Sequence, residues 1–222
     1  MRFGNFAFIF FLLGLYGCGN SPGSPQKTVH PQAAQSNEPG DSIPPVNTKS
    51  FEPFYVFLDK GLRQNHYVPS GFMPNGRCIE LDEGWQENCF SGDTCIKITY
   101  DIACSQKEQK WGGVYWLNPA NNWGKRKGGF NLSGAQKLTF WARGEEGGEQ
   151  IQEFIVGGIT GDFPDSDTAI IGPVILTPEW RQYTIDLRGK DLSYISGGFA
   201  WTTSIDFNPE RCTFYLDEIK FE

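Results

Sequence analysis

Histidine is nearly missing from this chain: there are two in 222 residues, His30 and His66. A Ser-His-Asp hydrolase built on residues 51–222 would have to use His66, and no G-x-S-x-G turn lies in that segment to serve it. His66 reads instead as a loop residue that hydrogen-bonds locally. No C-x-x-C pair occurs and no histidine lies beside the cysteines in sequence, which disfavours zinc. Clustered positive charge is also scarce. With 19 Lys and Arg against 26 Asp and Glu, the chain carries a formal charge of −7, and its one short basic run is Lys125-Arg126-Lys127. Phosphate backbones need many clustered cations, so nucleic acid is not an expected partner. A glycosidase needs two carboxylates facing each other across a sugar. Glu80, Asp82, Asp101 and Glu179 are available, but nothing in the sequence pairs them. An enzyme is therefore the weakest of the functional readings.

The two ends of the chain differ in kind. Arg2 precedes an apolar run, FAFIFFLLGLY, and then Gly17-Cys18. That run is well short of the ~20 residues that cross a bilayer. A cysteine directly after the apolar run suits diacylglycerol transfer to a thiol, so residues 1–17 are expected to be a lipoprotein signal peptide and Cys18 the lipidated N-terminus. Gly19, where some bacteria place a retention Asp, points to the outer membrane of the cell envelope. Residues 18–50 hold six prolines and no Phe, Trp or Tyr, so they cannot bury enough apolar surface to offset the entropy of ordering and are expected to be a tether. A flexible coil of that length reaches roughly 30 Å. The domain then occupies 51–222 and contains all seven tryptophans.

Within the domain, helical periodicity is absent and short alternating runs recur between turn residues. CIKITYD sets Ile96, Ile98 and Tyr100 against Lys97, Thr99 and Asp101; KLTFWAR sets Leu138, Phe140 and Ala142 against Thr139, Trp141 and Arg143; RQYTIDL sets Tyr183, Ile185 and Leu187 against Gln182, Thr184 and Asp186. With FYVFLD, GVYWL, FIVGG, IIGPVIL, GGFAWTT and CTFYLDEIKF, some nine or ten short strands predict an all-β, two-sheet sandwich. The last run breaks parity, because Phe214 and Leu216 do not alternate in phase with Ile219 and Phe221. A β-bulge at Asp217-Glu218 would return both pairs to the core. Cys78, Cys89, Cys95 and Cys104 are close enough to be local disulfide staples, and with Cys18 lipidated an odd thiol is left among the remaining five.

The stretch WGGVYWLNPANNWG (111–124) carries the functional argument. Three tryptophans and a tyrosine in a segment rich in Gly, Asn and Pro either plug a core or present flat rings beside amides, the arrangement that binds sugar. Trp111 and Tyr115 share one face of the strand, and Trp116 and Val114 the other; which face is inward is open. Trp123 sits in a loop with no alternation to direct it inward. Trp111, Tyr115, Trp123, Asn121, Asn122 and, from GGFAWTT, Trp201 are the candidate carbohydrate-binding residues. Trp116 is the expected core ring, and Trp141, on the polar parity of its strand, an exposure candidate.

Several stretches together, NHYVPSGFMPNG, WGGVYWLNPANNWG, GGFNLSGAQKLTFWARGEEGGE, LTPEWRQYTIDLRGKDLS and FYLDEIKFE, resemble a group of exported bacterial lipoproteins related to the galactose-binding-like, jelly-roll carbohydrate-binding modules. The resemblance covers 52–222. It implies a jelly-roll β-sandwich, a polysaccharide or oligosaccharide as partner, no catalysis, and a membrane contact through the lipid anchor alone. Relatives in that broad fold often hold a structural calcium with an acid of the last strand among its ligands. The resemblance thus implies Asp217, with Asp59 as companion, for calcium. The alternative carried alongside is a surface structural or protein-interaction module.

Overall fold

The computed structural model describes residues 50–74 and 76–222; the expected signal peptide, Cys18 and the tether up to residue 49 lie outside the described residues. Two antiparallel sheets face each other across one core, the architecture expected from the alternating runs. The first sheet runs in the order β11 (Arg181–Asp186), β6 (Lys137–Gly144), β13 (Cys212–Phe221), β4 (Cys95–Tyr100), β3 (Ile79–Trp85), and β1 (Phe54–Phe57) pairs with the distal half of β13. The second runs β2 (Val68–Met73), β5 (Trp111–Leu117), β12 (Gly197–Ser204), β8 (Glu153–Gly157), β9 (Thr168–Ile171). A short ribbon pairs β7 (Gln150–Ile151) with β10 (Val174–Ile175). Among the described residues the one helical piece is the single turn α1 (Ile102–Ser105), where Asp101 caps the Cys104 amide, so this acid serves the fold.

Burial follows strand parity. Ile96, Ile98 and Tyr100 of β4, Leu138, Phe140 and Ala142 of β6, and Phe214, Leu216, Ile219 and Phe221 of β13 are all closed to solvent. The last four manage this only because the register of β13 against β6 shifts between Asp217 and Lys220, with Glu218 at φ 44°: the bulge predicted from the parity break. The core between the sheets is lined with rings. Phe140, Phe154 and Phe199 lie within 4.6–5.7 Å of one another, and Trp116 packs edge-on to Phe199 at 5.6 Å.

Besides the two-residue β7, two strands were not expected. β2 reads VPSGFM, with a proline and a glycine where an alternating pattern would be, and β3 reads IELDEGW, whose third inward position is Glu83. Glu83 is half-buried, and that burial raises its carboxyl above the usual range. The expected IIGPVIL strand is two pieces, because Gly172-Pro173 ends β9 and starts a new course to β10. The cysteine expectation holds: Cys78 joins Cys104, Cys89 joins Cys95, and Cys212 is a buried free thiol.

Candidate functional site

Cross-strand pairing settles which face of β5 is inward. Trp201 of β12 pairs with Val114, and Phe199 with Trp116, and all four side chains are fully buried between the sheets. Trp116 is therefore core, as expected. Trp201, expected on the platform, is also core: it is 0% exposed and packs edge-on to Phe214 at 5.0 Å. The signal was present in GGFAWTT, where Phe199 and Trp201 alternate with Gly198, Ala200 and Thr202 and so share the inward side.

The opposite parity, Trp111, Gly113, Tyr115 and Leu117, points outward from the five-stranded sheet. Beside it on the same face stand Gly71 and Met73 of β2, Ala200 and Thr202 of β12, and Glu153 and Ile155 of β8. Its middle is closed to solvent: Tyr115, Leu117, Ile155, Ile159 and Ala200 form a second apolar cluster with Met73 packed on it, and Gly113 is buried beside them. At one end the loop 118–128 brings Trp123 over the strands, edge-on to Tyr115 with centroids 5.8 Å apart. Gly71 permits this approach: a Cβ there would stand 2.8 Å from Tyr115 Cβ and 3.0 Å from Trp123 Cζ2. At the other end Trp111 opens β5. Trp123 and Trp111 are 38% and 39% exposed, whereas Tyr115 is 8%. The Tyr115 hydroxyl donates to the Gly157 carbonyl at 3.1 Å, and burial, then Asp165 and Glu153, pushes its pKa up to about 12. Tyr115 is thus floor and support for Trp123, not a free ring.

The two asparagines part company. Asn121 is exposed, in a left-handed turn, with its amide donating to Ser70 Oγ at 2.9 Å. Asn122, expected to meet sugar hydroxyls, is 1% exposed and staples the loop instead. Its Nδ2 donates to the Arg126 carbonyl at 2.8 Å, and its Oδ1 accepts from the Lys125 and Arg126 amides at 3.2 Å. His66 also serves the loop structure, its Nδ1 at 3.0 Å from the Tyr55 carbonyl and its ring stacked 3.8 Å from that of Phe54.

Asp59 and Asp217, the pair implied for calcium, do come to one place, on either side of the loop 86–94. Each carboxylate accepts several N–H or O–H donors. Asp217 Oδ2 accepts the Phe90 and Ser91 amides at 3.0 Å and Oδ1 the Glu218 amide at 2.8 Å. Asp59 Oδ1 accepts from Thr94 N at 2.7 Å and Thr94 Oγ1 at 2.8 Å, and Asp93 N is 3.1 Å away. A cation on these oxygens would face the positive ends of those donors, so the residues do not fit calcium. Among the described residues no group of three or more His, Cys, Asp or Glu side chains is arranged to hold a metal ion.

The sequence reading missed the aromatic content of the other sheet. Trp85, Trp180 and Tyr215 stand on the outward side of the six-stranded sheet with Trp141, and Phe90 lies flat on Trp141 at 3.7 Å, covering one of its faces. Trp141 was placed on the polar side by parity; the loop that covers it could not be read from its strand.

No family model matches the chain, and no curated protein sequence is significantly similar to it. Solved structures do share its fold. A family 30 carbohydrate-binding module superposes with a TM-score of 0.50 at 15% identity, covering 77% of this chain and 98% of the module. The family 30 module of a cellulosomal cellulase from Clostridium thermocellum gives 0.49 at 15%, covering 77% and 97%. A family 29 carbohydrate-binding module gives 0.46 at 14%, covering 77% and 87%. At 15% identity the likeness to the first of these is one of fold, the jelly-roll sandwich that the sequence resemblance implied.

Proposed function

We propose that this domain is a non-catalytic carbohydrate-binding module that holds a polysaccharide or oligosaccharide on the outward face of its five-stranded sheet. One observation carries the reading: the two most exposed tryptophans among the described residues, Trp111 and Trp123, stand on that one face, on either side of a closed apolar cluster of Tyr115, Ile155 and Ala200 with Met73 packed on it. Four residues of extended strand separate Trp111 from Tyr115, about 13 Å. An indole left in water with its apolar surface unmatched gains by stacking on the C–H face of a pyranose. Asn121 and Glu153, beside Trp123 and Thr202, supply polar groups for hydroxyls. The shared fold with a family 30 carbohydrate-binding module supports the reading without fixing a ligand.

The remainder of the chain gives the module its place. Cys18 is the lipidated N-terminus, residues 18–50 are the tether, and the domain stands off the outer membrane within reach of polymers. Replacing Cys18 with Ser is expected to leave the precursor unprocessed or the protein unanchored, and normal membrane recovery would overturn this part.

The test of the binding face is affinity electrophoresis of the full chain in gels containing neutral plant and algal polysaccharides. Retardation by at least one polymer is expected. Trp111→Ala and Trp123→Ala should each weaken it by roughly 1–3 kcal/mol while the melting transition stays cooperative. If both variants bind as the wild type does, this face is not the site. If no polymer retards the chain, the exposed rings belong to a protein-interaction surface instead.

A further inference from the structure

A trough crosses the outward side of the six-stranded sheet, on the opposite sheet from Trp111 and Trp123. Registry places Asp82 of β3 beside Lys97 of β4, Lys97 beside Tyr215 of β13, and Tyr215 beside Arg143 of β6, so one row of side chains spans four strands. Three interstrand steps make that row about 14 Å long. Along it lie two adjoining hollows of about 340 and 320 Å³, with Trp85 and Lys97 common to both walls.

The cations here are held by rings more than by acids. Lys97 Nζ sits 4.0 Å from the centroid of Trp85 and 5.6 Å from that of Tyr215. The Arg143 guanidinium carbon is 3.8 Å from the Tyr215 centroid and 5.5 Å from that of Trp180. Glu145 lies 3.7 Å from Lys97, too far for a good hydrogen bond, and its Oε1 accepts the Tyr215 hydroxyl at 3.1 Å. Arg143 forms no ion pair among the described residues. Its Nη1 donates to the Gly144 carbonyl at 3.3 Å, and its Nε is buried with no acceptor. The guanidinium stands over the tyrosine ring, and with Nε closed to solvent it is the two Nη groups that can meet a planar anion.

We propose that this trough is a second binding site, independent of the five-stranded sheet, and that it takes an acidic polysaccharide by the carboxylate of a uronic acid residue. The carboxylate meets the Arg143 Nη groups with Lys97 nearby, and the sugar ring lies along the wall that Trp85 gives to both hollows. The row is too long for a lone small ion and suits an extended chain. Glu80, Asp82, Glu87 and Glu145 also face the trough, four carboxylates beside the two cations, so it is not a bare cationic patch. Binding therefore depends on bidentate geometry and not on bulk charge, which at −7 opposes any polyanion. The rim is already built: Asn88 and Glu87 belong to the loop that the Cys89–Cys95 disulfide pins to β4, and the Asn88 carbonyl accepts Trp180 Nε1 at 2.8 Å.

The experiment is affinity electrophoresis of the full chain against polygalacturonate and against the same polymer with its carboxyl groups methyl-esterified. Retardation by the acid form alone, weakened by added salt, is the expected result. Arg143→Gln and Lys97→Gln should each lower affinity for the acid form at least tenfold with an unchanged melting temperature. Equal retardation by acid and ester, no retardation by polygalacturonate, or wild-type affinity in both variants would overturn the proposal. A chain that binds neutral polymers through Trp111 and Trp123 but ignores polygalacturonate would sink this inference and leave the other face standing.

Discussion

Asp59, just after the first strand, and Asp217, in the bulge of the last, hold the same loop from opposite sides: Asp217 accepts the amides of Phe90 and Ser91, and Asp59 those of Asp93 and Thr94. Between the two anchors Gly92 turns at φ 61°, where a Cβ would run into the Asp59 carboxylate, so glycine is required on both counts. The loop thus fixed stacks Phe90 on Trp141 and forms the rim of the trough.

Asp217 should give the domain a pH-dependent term. Burial raises its pKa to about 6, against three backbone amides that lower it, and Glu218 adds to the rise. The folded value lies above the unfolded ~3.9, so the folded chain holds a proton that the unfolded chain has released. The contribution is full below about pH 4 and is lost as pH rises through 6. The melting temperature of the wild type should fall across that window more steeply than that of Asp217→Asn. The variant should also melt lower throughout, by about 1–3 kcal/mol, since one amide donor loses its acceptor. Parallel profiles would show that Asp217 does not titrate there.

Calcium is expected to leave the protein unchanged. A structural site saturated at 100 times its dissociation constant would add about 2.7 kcal/mol by mass action. Because donors already hold Asp59 and Asp217 to the loop, melting in excess calcium and in chelator should coincide; a clear rise with calcium would show that these acids bind the cation after all.

Trp201 and Gly71 test the packing of the five-stranded sheet from its two sides. Trp201→Ala opens a cavity in the core and should cost roughly 3–5 kcal/mol. Gly71→Ala drives a methyl into Tyr115 and Trp123 and should displace the indole. Tryptophan fluorescence shifted to the red with the fold retained is the expected signature; an unchanged spectrum would mean that Trp123 does not lie on Gly71.

The cysteines should separate cleanly by reactivity. Cys212 is buried and its thiol is pushed up to about 12, by burial first and by Glu149 next. Iodoacetamide should label no cysteine between residues 51 and 222 in the native domain and only Cys212 after unfolding without reductant. The Cys78–Cys104 bridge, with a sequence separation of 26, should stabilise by about 3–4 kcal/mol on the chain-entropy account. The Cys89–Cys95 bridge, with a separation of 6, should contribute about 2 kcal/mol. Peptide mapping and melting of each paired Cys→Ala variant check the order.

Much of this was legible in the chain itself. Alternation in CIKITYD, KLTFWAR and RQYTIDL sufficed for strand, inward face and sandwich, because a period of two has one physical meaning on a half-buried strand. The parity break in CTFYLDEIKF located the bulge, since Ile219 and Phe221 have nowhere else to go. Pro, Gly and a half-buried Glu83 hid β2 and β3, where pairing with β5 and β4 overrides a poor local pattern.

The site was legible only in part. Sequence placed Trp123 outside, for want of alternation, and Trp116 inside beside Val114. Registry decided the rest: Trp201 faces inward because it pairs with Val114, and Asn122 is spent on its own loop. The trough of Lys97, Tyr215, Arg143 and Trp85 draws on four strands separated by up to 130 positions, from Trp85 to Tyr215. Local periodicity fixes which side of a strand a residue takes; which strands stand beside it is set by burial summed over the whole core, and only the folded chain contains that sum.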